Sequence, residues 1–411
     1  MRLSASALAA CGLATAALAT TLLAGPAAAE TVAASAPEGP GQCRISEDPQ
    51  WSGWTDHAQL GAELRQIAQT SRGRVTVDVA GRTAQGRELW TARAGTGKRV
   101  LIVTSAIHGN ERTGTEALLG ILKQLGSSDD AATRKILSEV TLVAMPMVNP
   151  DGGELNRRIN VHSWEQTVDR FPQLAGAPRA WYHSLEGDGI KQPGYDLNRD
   201  FNPDLDYVPK AADLPGTQTG AGFYLSPESR AIRDVYVKMR AEKGSVDAMV
   251  DLHHMGPCAR VTGGEQDGKL ITVTLDYPPL GVNDGAKYKA QWPKLDQDKS
   301  RRYATTVANG IAEAYGDQAR PAAVGRYLHP DEREYAGQGR SAFALNGTGT
   351  VLFEVRGQQD DLGQTQRGMF VETVRTGVES LLTGLATGTA DTVDGDSFYD
   401  LPDYGWETTG D

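Results

Sequence analysis

Beyond residue 29 the chain lacks any apolar run long enough to span a membrane, and it has few cysteines. The three cysteines are Cys11, Cys43 and Cys258. This scarcity excludes a disulfide-rich scaffold, because only one pair remains if processing removes Cys11. The body also lacks repeats, low-complexity blocks and linkers rich in Pro, Gly or Ser. These absences favour one large domain, or two small ones, outside the membrane.

Positive charge is also scarce. Lys and Arg number 41 against 52 Asp and Glu, which gives a formal net charge of −11. A protein that binds nucleic acid nonspecifically needs a basic surface to neutralise phosphates. We therefore expect no nucleic-acid partner.

The N-terminus differs from the rest of the chain. Residues 1–29 form an apolar, alanine-rich run in which Arg2 is the only charge, and the run ends in Ala27-Ala28-Ala29. This pattern is typical of a signal peptide cut after Ala29, with a retained anchoring helix as the alternative. We predict a secreted, extracellular protein with no stable membrane insertion after cleavage. In an exported protein Cys43 and Cys258 predict one disulfide, with two separate buried thiols as the alternative.

Three regions are predicted after the signal peptide. Residues 30–44 form a small, polar N-terminal extension, residues 45–388 form the main domain, and residues 389–411 form an acidic tail. The tail contains several aromatic residues, so it either packs onto the body or extends into solvent. These residues are Phe398, Tyr399, Tyr404 and Trp406.

The body alternates between strand-like and helix-like patterns. Two β-prone runs joined by GRTAQG predict a hairpin, and VLIVTSAI, VTLVAMPMV, VDAMVDLH and TVLFEV follow as apolar runs separated by helical patterns. Such runs suit strands covered on both faces. Thr113-Gly114-Thr115-Glu116 predicts a capping box at one helix start. The alternation predicts an α/β sandwich that binds ligands where strands end.

Polar residues accumulate at four predicted strand ends. They are His108 with Glu111, Arg157 with Arg158 after an Asn-Pro-Asp-Gly turn, His253, and Glu354 within an apolar strand. A lone glutamate in such a strand is costly to bury unless it has a partner or a task.

Zinc chemistry accounts for this set. A catalytic zinc takes three protein ligands, and two histidines with one glutamate form one such set. His108 and Glu111, three residues apart at a strand-to-helix turn, can reach one ion, and His253 can complete the set from a neighbouring strand. Glu354 would then serve as the base that deprotonates the attacking water. Each signal alone is weak, because a short His-x-x-Glu match arises by chance.

The order of the motifs is more specific than any one motif. The series GRTAQGREL, IHGNERTG, NPDGGELNRR, YDLNRDFNP, SPESRAIRD, VDLHH and LFEVRG resembles the zinc carboxypeptidases, the carboxypeptidase A/B-like metallopeptidases. The resemblance runs from about residue 55 to residue 386. It implies a mixed, mostly parallel eight-stranded sheet sandwiched between helices, and one Zn²⁺ per chain. In this resemblance His108, Glu111 and His253 match the zinc ligands, and Glu354 matches the catalytic glutamate.

The resemblance also implies how a substrate is held. Arg158 matches the arginine that stabilises the oxyanion, with neighbouring Arg157 left open as the alternative. Asn198 and Arg199 match the pair that holds the terminal carboxylate, which suits the planar fork of a guanidinium. Asp196 matches a residue that orients His108 by accepting its other ring proton.

Some positions depart from the family pattern. Tyr335 lies slightly closer to Glu354 than the family's substrate-closing tyrosine, and Asp200 replaces a common asparagine. Arg340 is the only charged residue between Glu334 and Glu354. If Arg340 faces the side-chain pocket, it would favour C-terminal glutamate, aspartate or diaminopimelate. The alternative is that Arg340 pairs with Glu332, Glu334 or solvent.

The resulting functional prediction is a secreted zinc metallocarboxypeptidase that removes C-terminal residues from peptides or proteins. One alternative is a cell-wall peptide amidase of the γ-glutamyl-diaminopimelate type, or a small-molecule deacylase, on the same fold. A noncatalytic binding protein is the less favoured alternative, because it would be expected to have lost Glu354 or a zinc ligand.

Overall fold

The computed structural model describes residues 53–184, 193–264, 266–315, 322–327, 333–357 and 363–406. All of them belong to one compact unit, Cys43–Asp411. The predicted signal peptide, the N-terminal extension and Cys43 lie outside the described residues. Within the described part of the chain, no helix has the length and apolarity needed to cross a membrane.

Strands and helices alternate along much of the chain, as the sequence predicts. The helices are α1 (His57–Thr70), α2 (Thr113–Ser127), α3 (Ala131–Glu139), α4 (Pro150–Glu154), α5 (Trp164–Arg170), α6 (Pro227–Lys243), α7 (Val282–Gly285), α8 (Gln297–Tyr315), α9 (Gly339–Leu345) and α10 (Gly363–Thr387). The strands are β1 (Val75–Arg82), β2 (Glu88–Ala94), β3 (Arg99–Ser105), β4 (Val140–Met145), β5 (Ala248–Met255), β6 (Ala259–Thr262), β7 (Val273–Asp276), β8 (Val324–Arg326), β9 (Gly349–Arg356) and β10 (Asp403–Trp406).

Eight of these strands form one mixed sheet in the order β1-β2-β4-β3-β5-β9-β7-β8. The central strands β4, β3, β5 and β9 are parallel, whereas β1, β2 and β7 join through antiparallel pairs. This architecture confirms the predicted eight-stranded α/β sandwich. The carboxyl ends of the four central strands lie side by side, which is where ligands bind in open α/β sheets.

Side chains alternate between the two faces of the sheet, and each face has its own core. In β3, Leu101 and Val103 pack into the core formed with α1, α2, α8 and α10, whereas Val100 and Ile102 pack against α6 and α9. Burial on both faces explains why this strand is an unbroken apolar run in the sequence.

The first turns of α1 and α2 are capped differently. Asp56 and Gln59 form a capping box at the start of α1. The capping box predicted at α2 is wrong: Arg112 is the N-cap residue, and its side chain makes no capping hydrogen bond. Glu116 instead accepts the Thr55 N–H and lies 3.4 Å from Arg367 of α10, so its carboxylate binds tertiary partners. The Thr113 N–H donates to Nε2 of His254.

The described part of the C-terminal tail packs onto the body. Phe398 is buried in the main core, and Asp391 accepts hydrogen bonds from Arg99. β10 pairs antiparallel with β6. Of the two alternatives for this segment, the structure therefore supports packing for residues 389–406.

Candidate metal centre and substrate cleft

The parallel strands place the candidate ligands beside the candidate base. His253 lies on β5 directly opposite Glu354 on β9 in the register of the pair. His108 follows the end of β3, the neighbour of β5 on its other side. Residues far apart in the chain therefore meet at the carboxyl edge of the sheet.

Three side chains converge on one point at this edge. Nδ1 of His108 lies 2.8 Å from Oε1 of Glu111, and Nδ1 of His253 lies 2.9 Å from Oε2 of the same carboxylate. The two Nδ1 atoms are 3.1 Å apart. All three residues are buried, and among the described residues they form a group with the spacing expected of a metal site.

A carboxylate lies behind each imidazole. Oδ2 of Asp251 is 2.9 Å from Nε2 of His253, and Oδ1 of Asp196 is 3.4 Å from Nε2 of His108. Carboxylates in this position fix the tautomer, so that each Nε2 carries the proton and each Nδ1 offers a lone pair to a metal.

The charges of the centre are strongly coupled. Burial alone would raise the pKa of Glu111, but the imidazoles of His108 and His253 hold that pKa well below its usual value. Burial would lower the pKa of His253, but Asp251 and Glu111 raise it well above the usual value. A concentration of negative charge around two imidazoles favours a cation at this point.

The donor set fits zinc. Two imidazole nitrogens and one carboxylate form a known catalytic zinc set, and the two nitrogens face each other with no room for a proton on each. A metal ion between them would use both lone pairs at once. Nε2 of His108, a buried atom without a hydrogen-bond partner among the described residues, would then carry the proton facing Asp196.

Glu354 adjoins the centre but is outside the group of three. It is buried, and its Oε2 atom has no hydrogen-bond partner among the described residues. Burial raises its pKa to about 7. A bound divalent cation would act in the opposite direction, because a nearby positive charge favours the carboxylate form.

Arg157 and Arg158 point to different places. The guanidinium of Arg157 donates to the backbone oxygens of Ile159, Asn160 and Pro193. The guanidinium of Arg158 lines the cleft, donates to Oδ2 of Asp196 and lies 3.7 Å from Glu111. This geometry favours Arg158 as the residue available to a reacting group.

The YDLNRD segment brings its two candidate substrate-binding residues to the same cleft. Nδ2 of Asn198 lies 3.3 Å from Nε2 of His253, and Arg199 donates to the Asn198 carbonyl. The guanidinium carbon of Arg199 is 5.0 Å from the ring centroid of Tyr335. Tyr335 therefore lies within reach of this pair despite its shifted spacing.

Arg340 is buried rather than on the surface. Its Nη1 donates to Asp276 at 2.8 Å and to the Tyr277 carbonyl at 3.2 Å, and its Nε donates to Gln338 at 2.8 Å. Glu334 pairs with Lys287, so the expected pairing of Arg340 with Glu334 is wrong. Glu332 lies outside the described residues.

These residues share one cleft of about 190 Å³. The candidate metal ligands, Glu354, Arg158 and the candidate substrate-binding residues all line it, and Asp196 supports it from behind. The lining comprises His108, Glu111, Arg158, Asn198, Arg199, His253, His254, Met255, Gly256, Tyr327, Arg333, Tyr335, Gln338, Arg340, Leu352 and Glu354.

Sequence reasoning missed several members of the site. Asp251 could have been found, because it precedes His253 by two residues on a strand and so faces the same side. Tyr327 and Arg333 lie outside the described helices and strands, so the sequence gives no periodicity to show their direction. Tyr327, like Tyr335, lines the cleft.

Asp200 also has an unpredicted role. This buried carboxylate accepts hydrogen bonds from the hydroxyls of Tyr182, Ser226 and Ser229 and from the N–H groups of Leu225 and Ser226. It thereby fixes the backbone that directly follows Arg199. An asparagine could not accept from all these donors, because its amide nitrogen is itself a donor.

Only Cys258 of the two cysteines in the predicted disulfide is among the described residues. Cys258 is buried and disulfide-bonded. Because Cys43 lies outside the described residues, its pairing with Cys258 stays a prediction.

Known proteins share parts of this sequence and fold. Carboxypeptidase E of Caenorhabditis elegans is 28% identical over 172 residues, covering 39% of this chain and 32% of that protein. Carboxypeptidase B of Astacus astacus is 25% identical over 196 residues, covering 46% of this chain and 59% of that protein. The chain thus spans less than two thirds of the length of either relative.

A solved structure shows that the likeness extends to the fold. Bovine thrombin-activatable fibrinolysis inhibitor, solved in complex with tick carboxypeptidase inhibitor, superimposes with a TM-score of 0.53 at 13% identity. The match covers 83% of this chain and 98% of that one. The profile of the zinc carboxypeptidase family matches residues 60–377, a segment that contains the candidate metal ligands and Glu354. Because this match covers most of the chain, the protein belongs to the zinc carboxypeptidase family.

Proposed function

We propose that this protein is a zinc-dependent metallocarboxypeptidase that hydrolyses the C-terminal peptide bond of peptides or proteins. One observation carries the proposal: a metal-ligand set, an unpartnered buried carboxylate and a carboxylate-binding pair line the same cleft of the described chain. A carboxypeptidase needs all three groups close together, because the metal and the base act on the last peptide bond and the pair binds the carboxylate of the single residue beyond it.

In this mechanism His108, Glu111 and His253 hold the ion. Zinc, when bound there, supplies a Lewis acid that polarises a carbonyl and lowers the pKa of water. Glu354 takes a proton from the attacking water at Oε2 and delivers it to the leaving amine. Its support is its position opposite His253 and its lack of another partner for Oε2 in the described chain.

The arginines of the cleft act on the substrate. The Arg158 guanidinium lies within reach of the metal ligands, where it would stabilise negative charge on the carbonyl oxygen at the transition state. Asn198 and Arg199 would bind the terminal carboxylate and restrict cleavage to free C-termini. Asp196 holds Arg158 and faces His108, so it would position both.

Tyr335 is the proposed residue that closes over the bound peptide. Its support is that it lines the cleft beside Arg199. Tyr335→Phe and Tyr327→Phe would show which hydroxyl contributes, because loss of that hydroxyl should raise KM or lower kcat.

Export completes the proposal. We place the mature N-terminus after Ala29 and the mature protein outside the cell, with Cys43 bonded to Cys258. N-terminal sequencing of the secreted protein tests the cleavage site. Intact mass with and without reduction and alkylation tests the disulfide, and labelling of both thiols before reduction would exclude it.

Digestion of a mixed peptide pool by the purified mature protein, followed by mass spectrometry, tests the activity. We expect stepwise loss of C-terminal residues, absent after chelation and absent in Glu354→Gln. Trimming that persists in Glu354→Gln would exclude that residue as the base.

No trimming of any peptide would reject the carboxypeptidase. Release of product from wall peptides or acylated small molecules would then favour the amidase or deacylase. A zinc-loaded protein inert on every substrate would favour the binding protein.

A further inference from the structure

Besides Arg158 and Arg199, two more arginines line the cleft: Arg333 and Arg340. The Arg333 guanidinium carbon lies 4.8 Å from the Tyr335 ring centroid. The Arg333 side chain lines the cleft and forms no ion pair within the described ranges.

Arg340 is fixed rather than mobile. Its bonds to Asp276, Tyr277 and Gln338 occupy Nη1 and Nε and hold the guanidinium plane. Nη2 donates to no atom in the described part of the chain, although the residue lines the cleft. A planar fork with two sides held and one nitrogen free is already oriented for an additional acceptor.

The charges along the cleft are unequal. Its guanidiniums are those of Arg158, Arg199, Arg333 and Arg340, whereas the only carboxylates in the described lining are Glu111 and Glu354. Glu111 belongs to the candidate metal centre, and Glu354 adjoins it. The guanidiniums of Arg158 and Arg340 are paired with Asp196 and Asp276, whereas those of Arg199 and Arg333 form no ion pair within the described residues. The excess positive charge of the described lining is therefore that of Arg199 and Arg333, in a protein whose formal net charge is −11.

We infer that the cleft selects peptides whose C-terminal residue carries a second carboxylate, in its side chain. This inference rests on the proposed carboxypeptidase function. Asn198 and Arg199 take the terminal carboxylate, while Nη2 of Arg340 and the guanidinium of Arg333 take the side-chain carboxylate. The buried Asp276 neutralises much of the charge of Arg340, so Arg333 supplies the net attraction.

The same lining disfavours other terminal residues. A C-terminal lysine or arginine side chain would place its cation among the guanidiniums of Arg199, Arg333 and Arg340, and this part of the described lining has no carboxylate to pair with it. An apolar side chain would desolvate Nη2 of Arg340 without replacing its hydrogen bond to water.

Peptides that differ only in a C-terminal Glu, Gln, Leu or Lys test the inference. We expect kcat/KM to be at least about tenfold higher for Glu than for Gln, which has nearly the same shape, and lowest for Lys. In Arg333→Gln the Glu-to-Gln ratio should fall towards one. Arg134→Gln, on exposed α3 at the other end of the sheet, is the matched control and should keep the wild-type ratio.

The contribution of Arg340 needs a paired substitution. Removing Arg340 alone would leave Asp276 buried without its cation and destabilise the fold. Arg340→Gln combined with Asp276→Asn keeps the pair neutral, and a melting curve reports whether the variant folds. A folded double variant that keeps the wild-type Glu-to-Gln ratio would overturn the role of Arg340.

The outcomes separate this inference from the function on which it rests. Trimming of all four peptides with a Glu-to-Gln ratio near one overturns the selectivity alone. Trimming of none overturns the carboxypeptidase. A peptide ending in diaminopimelate, compared with the Glu peptide, shows whether wall peptides or protein C-termini supply the preferred acidic residue.

Discussion

The two candidate histidine ligands present the same ring nitrogen to the metal centre because each has a carboxylate near its other nitrogen. For His253 this partner is Asp251, whose Oδ2 lies 2.9 Å from Nε2. The other oxygen of Asp251 accepts the Thr104 hydroxyl at 2.7 Å. The orientation of His253 therefore depends on Thr104 of the neighbouring strand β3 as well as on Asp251.

Asp251→Asn should weaken zinc binding about 10- to 100-fold, because an amide can no longer hold the imidazole in the required tautomer with a charged acceptor. Competition with a chromogenic chelator measures this affinity without reference to activity. Thr104→Val, which removes only the partner of the far oxygen, is the matched control and should have the smaller effect. Wild-type affinity in Asp251→Asn would show that Asp251 does not orient the ligand.

Glu228, which is not part of the metal centre, should make the stability of the protein depend on pH. This buried carboxyl accepts from Asn160, and burial raises its pKa to about 8 from the usual 4.5. The unfolded chain releases the proton at lower pH than the folded chain, so the free energy of unfolding falls as pH rises from about 4.5 to about 8. The loss should reach a few kcal/mol, at about 1.4 kcal/mol per pKa unit.

Glu228→Gln removes this titration and keeps an acceptor for Asn160. Urea unfolding in the presence of chelator should show a variant more stable than wild type at about pH 8, with the difference shrinking towards about pH 5. Glu139→Gln, on the surface, should follow the wild-type profile. Equal pH profiles for Glu228→Gln and wild type would contradict the prediction.

At the scale of the elements, hydrogen bonds and close backbone packing join the loop after β3 to the loop after β4. Asn149 donates to the Arg158 carbonyl at 3.1 Å, and the Gly109 N–H donates to the same oxygen at 3.1 Å. The backbone of Gly109 packs so closely that a Cβ there would lie 2.3 Å from the carbonyl carbon of Gly152. These two hydrogen bonds and this backbone contact together set the spacing between His108 and Arg158.

Gly109→Ala should therefore separate the two loops and impair both zinc binding and turnover, each by at least about tenfold. Zinc affinity and kcat/KM measure the two effects separately. Gly120→Ala is the matched control: its added Cβ meets only a flexible arginine side chain, and alanine suits the interior of α2. Wild-type zinc affinity in Gly109→Ala would mean that the backbone contact is not required.

At the scale of the whole molecule, the parallel centre of the sheet assembles the site. β5 lies between β3 and β9, so His253 lies between the loop that carries His108 and the strand that carries Glu354. The metal centre therefore connects elements that are distant in sequence. A ligand that binds only this assembled state stabilises the whole fold.

Removal of zinc should consequently lower the melting temperature by a few degrees, since binding at about 100 times Kd contributes about 2.7 kcal/mol. Differential scanning calorimetry of zinc-loaded and chelated protein measures the shift. In His253→Ala the two curves should coincide. A shift of equal size in that variant would place the stabilising zinc elsewhere.

The amino-acid sequence by itself predicted the fold class, which the structure confirms, and the candidate metal ligands, which the structure brings together. Continuous apolar runs predicted strands buried on both faces, because such strands have no polar side to show. The positions of His108, Glu111, His253 and Glu354 at strand ends predicted one zinc site, since parallel strands end at one edge. Periodicity and the ligands that zinc prefers supported these predictions, and the resemblance of the ordered motifs to the zinc carboxypeptidases implied the eight-stranded sheet and the role of each residue.

Tertiary structure alone decided which way the remaining side chains point. Arg157 and Arg158 are adjacent and chemically identical, yet of the two only Arg158 lines the described cleft, because the carbonyls of Ile159 and Asn160 and that of the distant Pro193 hold Arg157. Arg340 pairs with Asp276 from β7, and the Glu116 expected to cap α2 binds Thr55 instead. Hydrogen bonds and ion pairs form between groups brought together by packing, and sequence distance does not encode that proximity.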